Sequence, residues 1–205
     1  MTQPEIVSLL FTQNLHGDLR FLPRLARVLM HLRIEDRRSY TIDLGNSCAP
    51  DVWHCDATDG RSMLIALDGI NYSAANAEGL AEHARPQLSR SLVTLKAVNA
   101  AHPDWIERVA LVTSTPDAPI PGAEMTMVIK PHLEARVNGT VIEFPAVERY
   151  RIGRLRVRID TLPFELISVE TFDVPPTTAP DPVVSGMIDF IEGEARHYQK
   201  RKSQS

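Results

Sequence analysis

Apolar positions in the first half of the chain follow two alternating patterns. Residues 5–11 are almost continuously apolar, which is typical of a strand covered on both faces, and 39–44 is predicted as a second strand. Between them, apolar residues recur at helical spacing over 22–32, and Pro23 suits the first turn of a helix. The alternation continues with a helix at 60–70, a strand at 72–75 and a helix at 77–88. This β-α-β-α-β-α order predicts a mainly parallel sheet with helices on its faces.

Strand-like segments dominate the second half of the chain, with little helix between them. They lie at 92–98, 108–113, 125–130, 140–144, 152–160 and 164–172. After a linker rich in Pro and Thr at 174–182, Asp181 is placed to cap a last helix that begins at Pro182. Element order alone therefore indicates an α/β chain with an antiparallel second half.

The length and the composition are those of a globular protein. At 205 residues, the chain is expected to form one domain over 1–205, with halves at 1–90 and 91–173 and a closing helix at 181–201. A net charge of −4 argues against a nucleic-acid partner, which would require a basic face. No apolar run reaches the length that crosses a bilayer, and the first residues lack the pattern of a leader peptide. We therefore expect a cytoplasmic protein with no membrane partner.

Cys48 and Cys55 are the two cysteines of the chain, and two interpretations are open for them. A zinc site would use both thiolates together with His54 and Asp51. Six residues separate the cysteines, which is wider than the usual zinc knuckle, and the sequence has no second pair. Because the protein is expected to be cytoplasmic, two reduced thiols are favoured over a zinc site.

The segment at 5–17, Glu-Ile-Val-Ser-Leu-Leu-Phe-Thr-Gln-Asn-Leu-His-Gly, resembles the opening of the metallophosphoesterases related to the 5'-nucleotidases. In that family the strand ends in Thr-Asn-Asp-Leu-His-Gly/Ser, and its Asp and His are ligands of a two-metal centre. Here Asn14 stands at the Asp position and His16 at the His position. The resemblance implies a ligand-binding or metal-binding role for both. A loop histidine bonded to backbone is the simpler alternative for His16, and it stays open.

Further segments extend the resemblance over nearly the whole chain. Tyr40-Thr-Ile-Asp-Leu-Gly-Asn46 is similar to the block Leu-Leu-Asp-Ala-Gly-Asp, whose last Asp bridges the two metals, so Asn46 takes the bridging position. The other similar segments are 59–72, 108–116, 137–155 and the helix from Asp181 onward. The resemblance implies the four-layer α/β/β/α sandwich of the metallophosphoesterases, reduced in size. At strand ends, Asn14 and Asn46 would face the ligand crevice of an α/β sheet, or they would serve as turn residues.

The chain departs from the family where the metal ligands belong. The Gly-Asn-His-Glu block has no His: an ungapped alignment from Tyr72 places Gly79 and Leu80 at the Asn and His positions, and only a shifted register brings in Asn76. The intermediate segment with its Ser-His ligand is missing, and His132 is the candidate for the final His turn. The catalytic candidates are therefore His16 and Asn76, and the metal candidates are His16 and His132.

These departures determine the expected function. Two divalent cations about 3.5–4 Å apart need carboxylates to offset their repulsion, whereas Asn14 and Asn46 carry no charge. We expect a divergent 5'-nucleotidase-like protein without two-metal hydrolysis, which binds a small molecule or a protein partner in a regulatory or assembly role and needs no cofactor. The alternative is a phosphoesterase for nucleotides or other phosphate esters that uses a single Mn²⁺ or Zn²⁺. A plain α/β domain with a shallow resemblance is the third hypothesis, and a homo-oligomer stays open.

Overall fold

The protein was analysed as a computed structural model that describes residues 4–35 and 38–204. The strands within these ranges are β1 (Ile6–Thr12), β2 (Ser39–Asp43), β3 (Ala74–Asn76), β4 (Lys96–Val98), β5 (Asp104–Ile106), β6 (Val109–Val112), β7 (Met125–His132), β8 (Arg136–Asn138), β9 (Val141–Pro145), β10 (Arg151–Arg158) and β11 (Glu165–Asp173). The helices are α1 (Leu22–Glu35), α2 (Trp53–Ala57), α3 (Arg61–Gly69), α4 (Arg85–Ser91) and α5 (Pro182–Lys202). Two 3-10 turns, Leu19–Phe21 and Glu82–Ala84, precede α1 and α4.

The first half of the chain forms most of a six-stranded sheet in the order β11-β10-β1-β2-β3-β4. Strands β1 to β4 run parallel, as the alternating pattern predicts, and β10 and β11 add to the β1 side in antiparallel direction. In β1 every residue after Ile6 is buried, because apolar side chains stand on both faces of the strand. β1 and β2 are direct neighbours, with Leu10 opposite Thr41.

A second sheet of five strands has the order β5-β6-β7-β9-β8. Its three central strands, β6, β7 and β9, run parallel, and only the edge strands β5 and β8 are antiparallel to their neighbours. The expectation of an antiparallel second half is therefore wrong for this sheet, although it holds for β10 and β11. The edge strands β5 and β8 cannot be predicted from the sequence, because three residues are too few to show an alternation of apolar and polar positions. Two sheets with β1 beside β2 also argue against the third hypothesis, a plain α/β domain.

Apolar side chains divide into two cores. One core lies between the sheets and contains the inward faces of both, such as Leu9, Phe11, Met127 and Phe144. The other lies between the six-stranded sheet and the helices, and each of the five helices contributes buried side chains to it. Two sheets with flanking helices are the architecture that the resemblance implies.

The closing helix begins as predicted. The Asp181 carboxylate accepts hydrogen bonds from the backbone N–H groups of Val183 and Val184, at 3.0 and 3.2 Å, and Pro182 is the first helical residue. The helix buries Val184, Ile188, Ile191 and Ala195 and packs on helices α1, α2 and α3. None of the helices within the described ranges combines the length and the apolar character needed to cross a membrane.

The helix expected at 77–88 is shorter than predicted. Residues 77–81 form a loop, and the regular helix α4 starts only at Arg85, with Pro86 in its first turn. Proline is favoured in the first turn and excluded from the interior of a helix, so its position sets the start of α4. Helix α2 was not predicted at all, since five residues are too few for an apolar periodicity.

Cys48 and Cys55 form a disulfide with Cα atoms 5.7 Å apart, so the expectation of two reduced thiols is wrong. The bond ties the loop after β2 to helix α2. That helix is too short to be predicted from an apolar periodicity, so its position beside the loop of Cys48 was not expected. A disulfide is typical of secreted or periplasmic proteins and rare in the cytosol.

Candidate functional site

The loops that follow β1 and β2 are joined by backbone hydrogen bonds beyond the ends of the two strands. The amide of Leu44 donates to the carbonyl of Thr12 at 2.8 Å, and the amide of Asn14 donates to the carbonyl of Gly45 at 3.0 Å. The amide of His16 continues the series to the carbonyl of Asn46 at 2.9 Å. The carboxyl ends of parallel strands are where open α/β sheets bind ligands, so these loops form the candidate site.

Asn14 and Asn46 contact each other directly at this edge of the sheet. The side-chain amide of Asn46 donates to the side-chain oxygen of Asn14 at 2.9 Å. Both residues have left-handed backbone conformations, with φ of 59° and 56°, which asparagine tolerates better than most residues. Both asparagines are therefore turn residues, and of the two only Asn46 also lines the cavity described below.

Asn76 ends the next parallel strand, and its side chain is almost completely buried. Its amide donates to the carbonyls of Leu44 at 3.4 Å and Ile129 at 2.9 Å, and its oxygen accepts from the backbone N–H of Glu78 at 3.0 Å. Since Ile129 lies in β7, this side chain connects the two sheets. Every polar atom of Asn76 is thus engaged within the protein.

A cavity of about 210 Å³, here called the crevice, opens beside these groups. It is lined by the loop from Leu44 to Cys48, by the segment from Asn76 to Leu80, and by Gln13, Gly60, Leu64, Lys130 and Pro131. Gly45 has a φ of 121°, and a Cβ atom there would lie 3.4 Å from the Asn76 amide nitrogen. A glycine is therefore required at this position for the loop to approach Asn76.

The two candidate histidines lie outside this lining. His16 is exposed and has a left-handed φ of 49°. His132, at the end of β7, has its Nδ1 atom 4.0 Å from the Glu143 carboxylate, and its Nε2 atom is buried without a hydrogen-bond partner among the described residues. Pro131, the residue before it, does line the crevice.

Asp43, a residue that sequence reasoning did not select, lies directly behind the crevice and is fully buried. Its carboxyl accepts hydrogen bonds from the Thr12 hydroxyl at 3.3 Å and from the Gly45 amide at 3.2 Å. The Tyr72 hydroxyl lies 2.9 Å from Thr12 and completes a buried polar network. Burial raises the pKa of the Asp43 carboxyl to about 8, although these hydrogen bonds act in the opposite direction. Asp43 is the last residue of β2, and its importance follows from burial and from partners that are distant in sequence.

A buried histidine supports the loop that carries His16. The Nε2 atom of His54 lies 2.8 Å from the carbonyl of Gly17 and donates to it, and Nδ1 accepts from the Ser62 hydroxyl at 2.8 Å. Burial lowers the pKa of His54, which favours this neutral form. Next to it, the disulfide of Cys55 holds α2 against the loop after β2. Helix α2 thus holds both loops, the loop after β1 through His54 and the loop after β2 through the disulfide.

The donor set at the crevice does not match a two-metal centre. No group of three or more His, Cys, Asp or Glu side chains within the described ranges is arranged to hold a metal ion. Asn14 and Asn46 offer neutral oxygens, one of which already accepts the bond between them. Hard divalent cations are bound mainly by carboxylates, which offset their charge.

Comparison with known proteins defines the fold. No family model matches the chain, and no curated protein matches it either. Among solved structures, the calcineurin-like phosphoesterase YfkN from Bacillus subtilis matches with a TM-score of 0.58 and 8% identity, over 96% of this chain and 99% of that one. The NAD nucleotidase NadN from Haemophilus influenzae matches with a TM-score of 0.57 and 8% identity, over 96% of this chain and 61% of that one. The chain therefore has the calcineurin-like phosphoesterase fold, and it spans about three fifths of the length of NadN.

Proposed function

We propose that the chain is a shortened, divergent protein of the 5'-nucleotidase-like metallophosphoesterase type, which lacks two-metal hydrolysis and acts by binding. In this proposal the whole chain is one domain, and the crevice between the loops after β1, β2 and β3 takes a small polar ligand or a segment of a partner protein. The fold supports the superfamily. The loss of hydrolysis rests on the crevice itself, because fold alone does not determine activity.

The hydrogen bond between Asn46 and Asn14 carries the proposal. At these two positions the related enzymes have a metal-ligating and a metal-bridging carboxylate, and here one amide donates to the other at 2.9 Å. Two divalent cations about 3.5–4 Å apart repel each other, and neutral amides do nothing to offset that repulsion. Water that no metal ion activates keeps its high pKa, so almost no hydroxide is available for attack at neutral pH.

The position of Asn76 adds a second argument. Its place at the end of β3, beside Gly45, favours the shifted register, in which Ala75-Asn76-Ala77-Glu78 corresponds to the family's Gly-Asn-His-Glu. Ala77 then stands where the family has a histidine, and an alanine side chain can neither ligate a metal nor donate a proton. The Asn76 oxygen is occupied by the Glu78 amide, so this side chain acts as a connector between the sheets.

The crevice retains the features of a binding site. It is a small cavity with backbone and amide groups at its wall, and Lys130 and Glu78 supply one charge of each sign at its rim. Its loops are fixed by the disulfide, by His54 and by the hydrogen bonds between them, so little ordering is needed when a ligand binds. A preorganised site without a catalytic metal is suited to recognition.

A turnover assay tests the proposal. The purified protein is incubated with p-nitrophenyl phosphate, with bis(p-nitrophenyl) phosphate and with 5'-nucleotides, in the presence of Mn²⁺ or Zn²⁺. We expect no metal-dependent turnover above that of the His16→Ala variant. Turnover that depends on metal and is lost in His16→Ala would contradict the proposal and favour a single-metal phosphoesterase, in which the unpartnered Nε2 atom of His132 would be a second ligand.

The compartment is a separate part of the proposal. The sequence predicts a cytoplasmic protein, whereas the bond between Cys48 and Cys55 argues for an oxidising compartment. Thiol labelling in intact cells with a membrane-permeable maleimide, before lysis, distinguishes the two. Labelling of both cysteines would support the cytoplasm, and protection of both until reductant is added would contradict it.

A further inference from the structure

A larger cavity than the crevice begins at Asp18, two residues after His16 in the sequence. Its volume is about 740 Å³, within the range of small-molecule sites, and it shares no lining residue with the crevice. It is formed where the 3-10 turn before α1 meets the start of β10 and the end of β11. Its lining includes three arginines, two aromatic residues and one aspartate, namely Arg20, Arg24, Arg149, Phe21, Tyr150 and Asp18.

Charges inside this cavity are only partly balanced. The Asp18 carboxylate accepts hydrogen bonds from Arg149 at 3.2 Å and from the Tyr150 hydroxyl at 3.0 Å. Arg151 donates to Asp173 at 2.7 Å. The two acidic side chains of the lining are therefore both occupied by the two arginines on the β10 side.

Arg20 and Arg24, on the opposite wall, remain without a counter-charge. Neither has a hydrogen-bond or ion-pair partner within the parts of the chain that the structure describes, and the Nε atom of Arg24 is buried as well. A buried guanidinium N–H without an acceptor is unfavourable, so an acceptor from a ligand would be stabilising at this point. Arg20 is exposed, so solvent surrounds its charge in the free protein, and a ligand with two negative charges would match the two guanidinium groups.

The floor of the cavity is aromatic. The Tyr150 ring packs edge-to-face on Phe21, with ring centroids 4.9 Å apart, and the Arg149 guanidinium lies 4.6 Å from the centre of the Tyr150 ring. Tyr150 is still 42% exposed and has a left-handed φ of 67°, which is an unfavourable conformation for a bulky residue. The hydrogen bond that the Tyr150 hydroxyl donates to the Asp18 carboxylate holds the ring in place. Val174 and Pro175 extend the apolar surface beside it.

We propose that this cavity binds a small organic dianion that carries a flat apolar group. Arg20 and Arg24 would bind the anionic end, because guanidinium groups match phosphate and carboxylate oxygens. The ring of Tyr150 and the residues next to it would contact the apolar end. The site is independent of the crevice and of the proposal that hydrolysis is lost.

Calorimetric titration of the full chain with four probes tests the dianion site. Phenyl phosphate and phthalate carry two charges and a ring, benzoate carries one charge and a ring, and methyl phosphate has no ring. We expect phenyl phosphate or phthalate to bind with saturation, and benzoate and methyl phosphate to bind more weakly. If only phenyl phosphate binds, the site recognises phosphate esters. If phthalate binds as well, the site recognises any aromatic compound with two negative charges. The absence of saturable binding by either dianion would overturn the proposal.

Variants locate the binding. The double variant Arg20→Gln/Arg24→Gln is expected to lower the affinity for the dianion by at least about tenfold, because it removes two charge-assisted contacts. Arg90→Gln/Arg136→Gln is the matched control, since it removes the same charge from exposed residues outside both cavities. Equal weakening by the control, or loss of binding in Asn46→Ala instead, would overturn the assignment to this cavity. Unfolding curves of each variant verify that it is folded.

Discussion

The side-chain amide of Asn46 donates a hydrogen bond to the side-chain oxygen of Asn14 at 2.9 Å, across the ends of two parallel strands. The bond joins two residues with left-handed backbones, in loops that are already connected by backbone hydrogen bonds. In a two-metal enzyme of this fold the same positions need negative charge, which would push the two side chains apart unless a cation lay between them. The two neutral side chains need no cation between them, because they bond to each other directly.

Restoring the two carboxylates should make the loops depend on metal. In Asn14→Asp/Asn46→Asp two like charges replace a hydrogen bond, so the melting temperature should fall in the absence of metal and should recover when Mn²⁺ is added. The unchanged protein should show no response to Mn²⁺. Differential scanning calorimetry with and without Mn²⁺ measures both effects.

The matched control for this variant is Asn71→Asp/Asn138→Asp, which adds the same charge at two sites remote from the crevice. A recovery with Mn²⁺ in the control as well would show that the metal binds nonspecifically. If the crevice variant were as stable as the unchanged protein without metal, Asn14 and Asn46 would not be in contact.

The buried carboxyl of Asp43 should make stability fall as the pH rises. An unfolded Asp loses its proton near its ordinary pKa of about 3.9, whereas burial raises the pKa to about 8 in the folded protein. Between these two values unfolding releases a proton, so rising pH favours the unfolded state. In Asp43→Asn the amide can donate to Thr12 and accept from the Gly45 amide, and nothing titrates there.

The measurement for Asp43 is the free energy of unfolding in urea, for both proteins, at several pH values between 4 and 8. The advantage of Asp43→Asn over the unchanged protein should grow with pH, by up to ~1.4 kcal/mol per pH unit. His54 titrates in both proteins and cancels in the difference. Parallel curves would mean that Asp43 is charged in the folded protein at neutral pH.

The disulfide should stabilise the protein by a moderate amount. It closes a short loop, because the two cysteines are seven residues apart in the sequence, and such a loop corresponds to about 2 kcal/mol in the chain-entropy model. Cys48→Ser/Cys55→Ser should lower the free energy of unfolding by that amount under oxidising conditions. With reductant present, the two proteins should be nearly equally stable. Peptide mapping without reductant that recovers free thiols at both positions would contradict the bond itself.

Gly153 is a position where the chain tolerates no side chain. It pairs with Phe11 between β1 and β10, and a Cβ atom there would lie 2.0 Å from the Phe11 ring, which is buried against Phe144. Gly153→Ala should therefore lower the free energy of unfolding by about 2–3 kcal/mol. Gly193→Ala in α5 is the control, because nothing lies within 4 Å of its Cβ position. We expect it to be about 0.5–1 kcal/mol more stable than the unchanged protein. A neutral Gly153→Ala would show that Phe11 can move.

Those parts of the fold with a strong local signal could be predicted from the sequence. β1 is a nearly continuous apolar run, and α5 combines the cap at Asp181 with a regular apolar stripe. Helix α2 and the edge strands β5 and β8 are too short for any periodicity. The parallel direction of β6, β7 and β9 depends on tertiary packing, and the sequence pattern of a strand does not encode it.

The candidate site could be predicted in part. Asn14, Asn46 and Asn76 follow three parallel strands, and the structure brings their loops to one edge of the sheet. The importance of Asp43 and His54 was not predictable, because it arises from burial and from partners distant in sequence, such as Thr12 and Gly17. His16 and His132 lie outside the crevice lining, and their role as metal ligands stays a prediction.

Metal content tests the central claim most directly. The purified protein is dialysed against micromolar Mn²⁺ and Zn²⁺ and then against buffer, and the retained metal is measured by elemental mass spectrometry beside the His16→Ala variant. The account predicts that neither protein retains a stoichiometric amount of either metal, because Asn14 and Asn46 satisfy each other without one. Near-stoichiometric metal in the unchanged protein, lost in His16→Ala, would contradict the account and would make the chain a metalloprotein with His16 as a ligand.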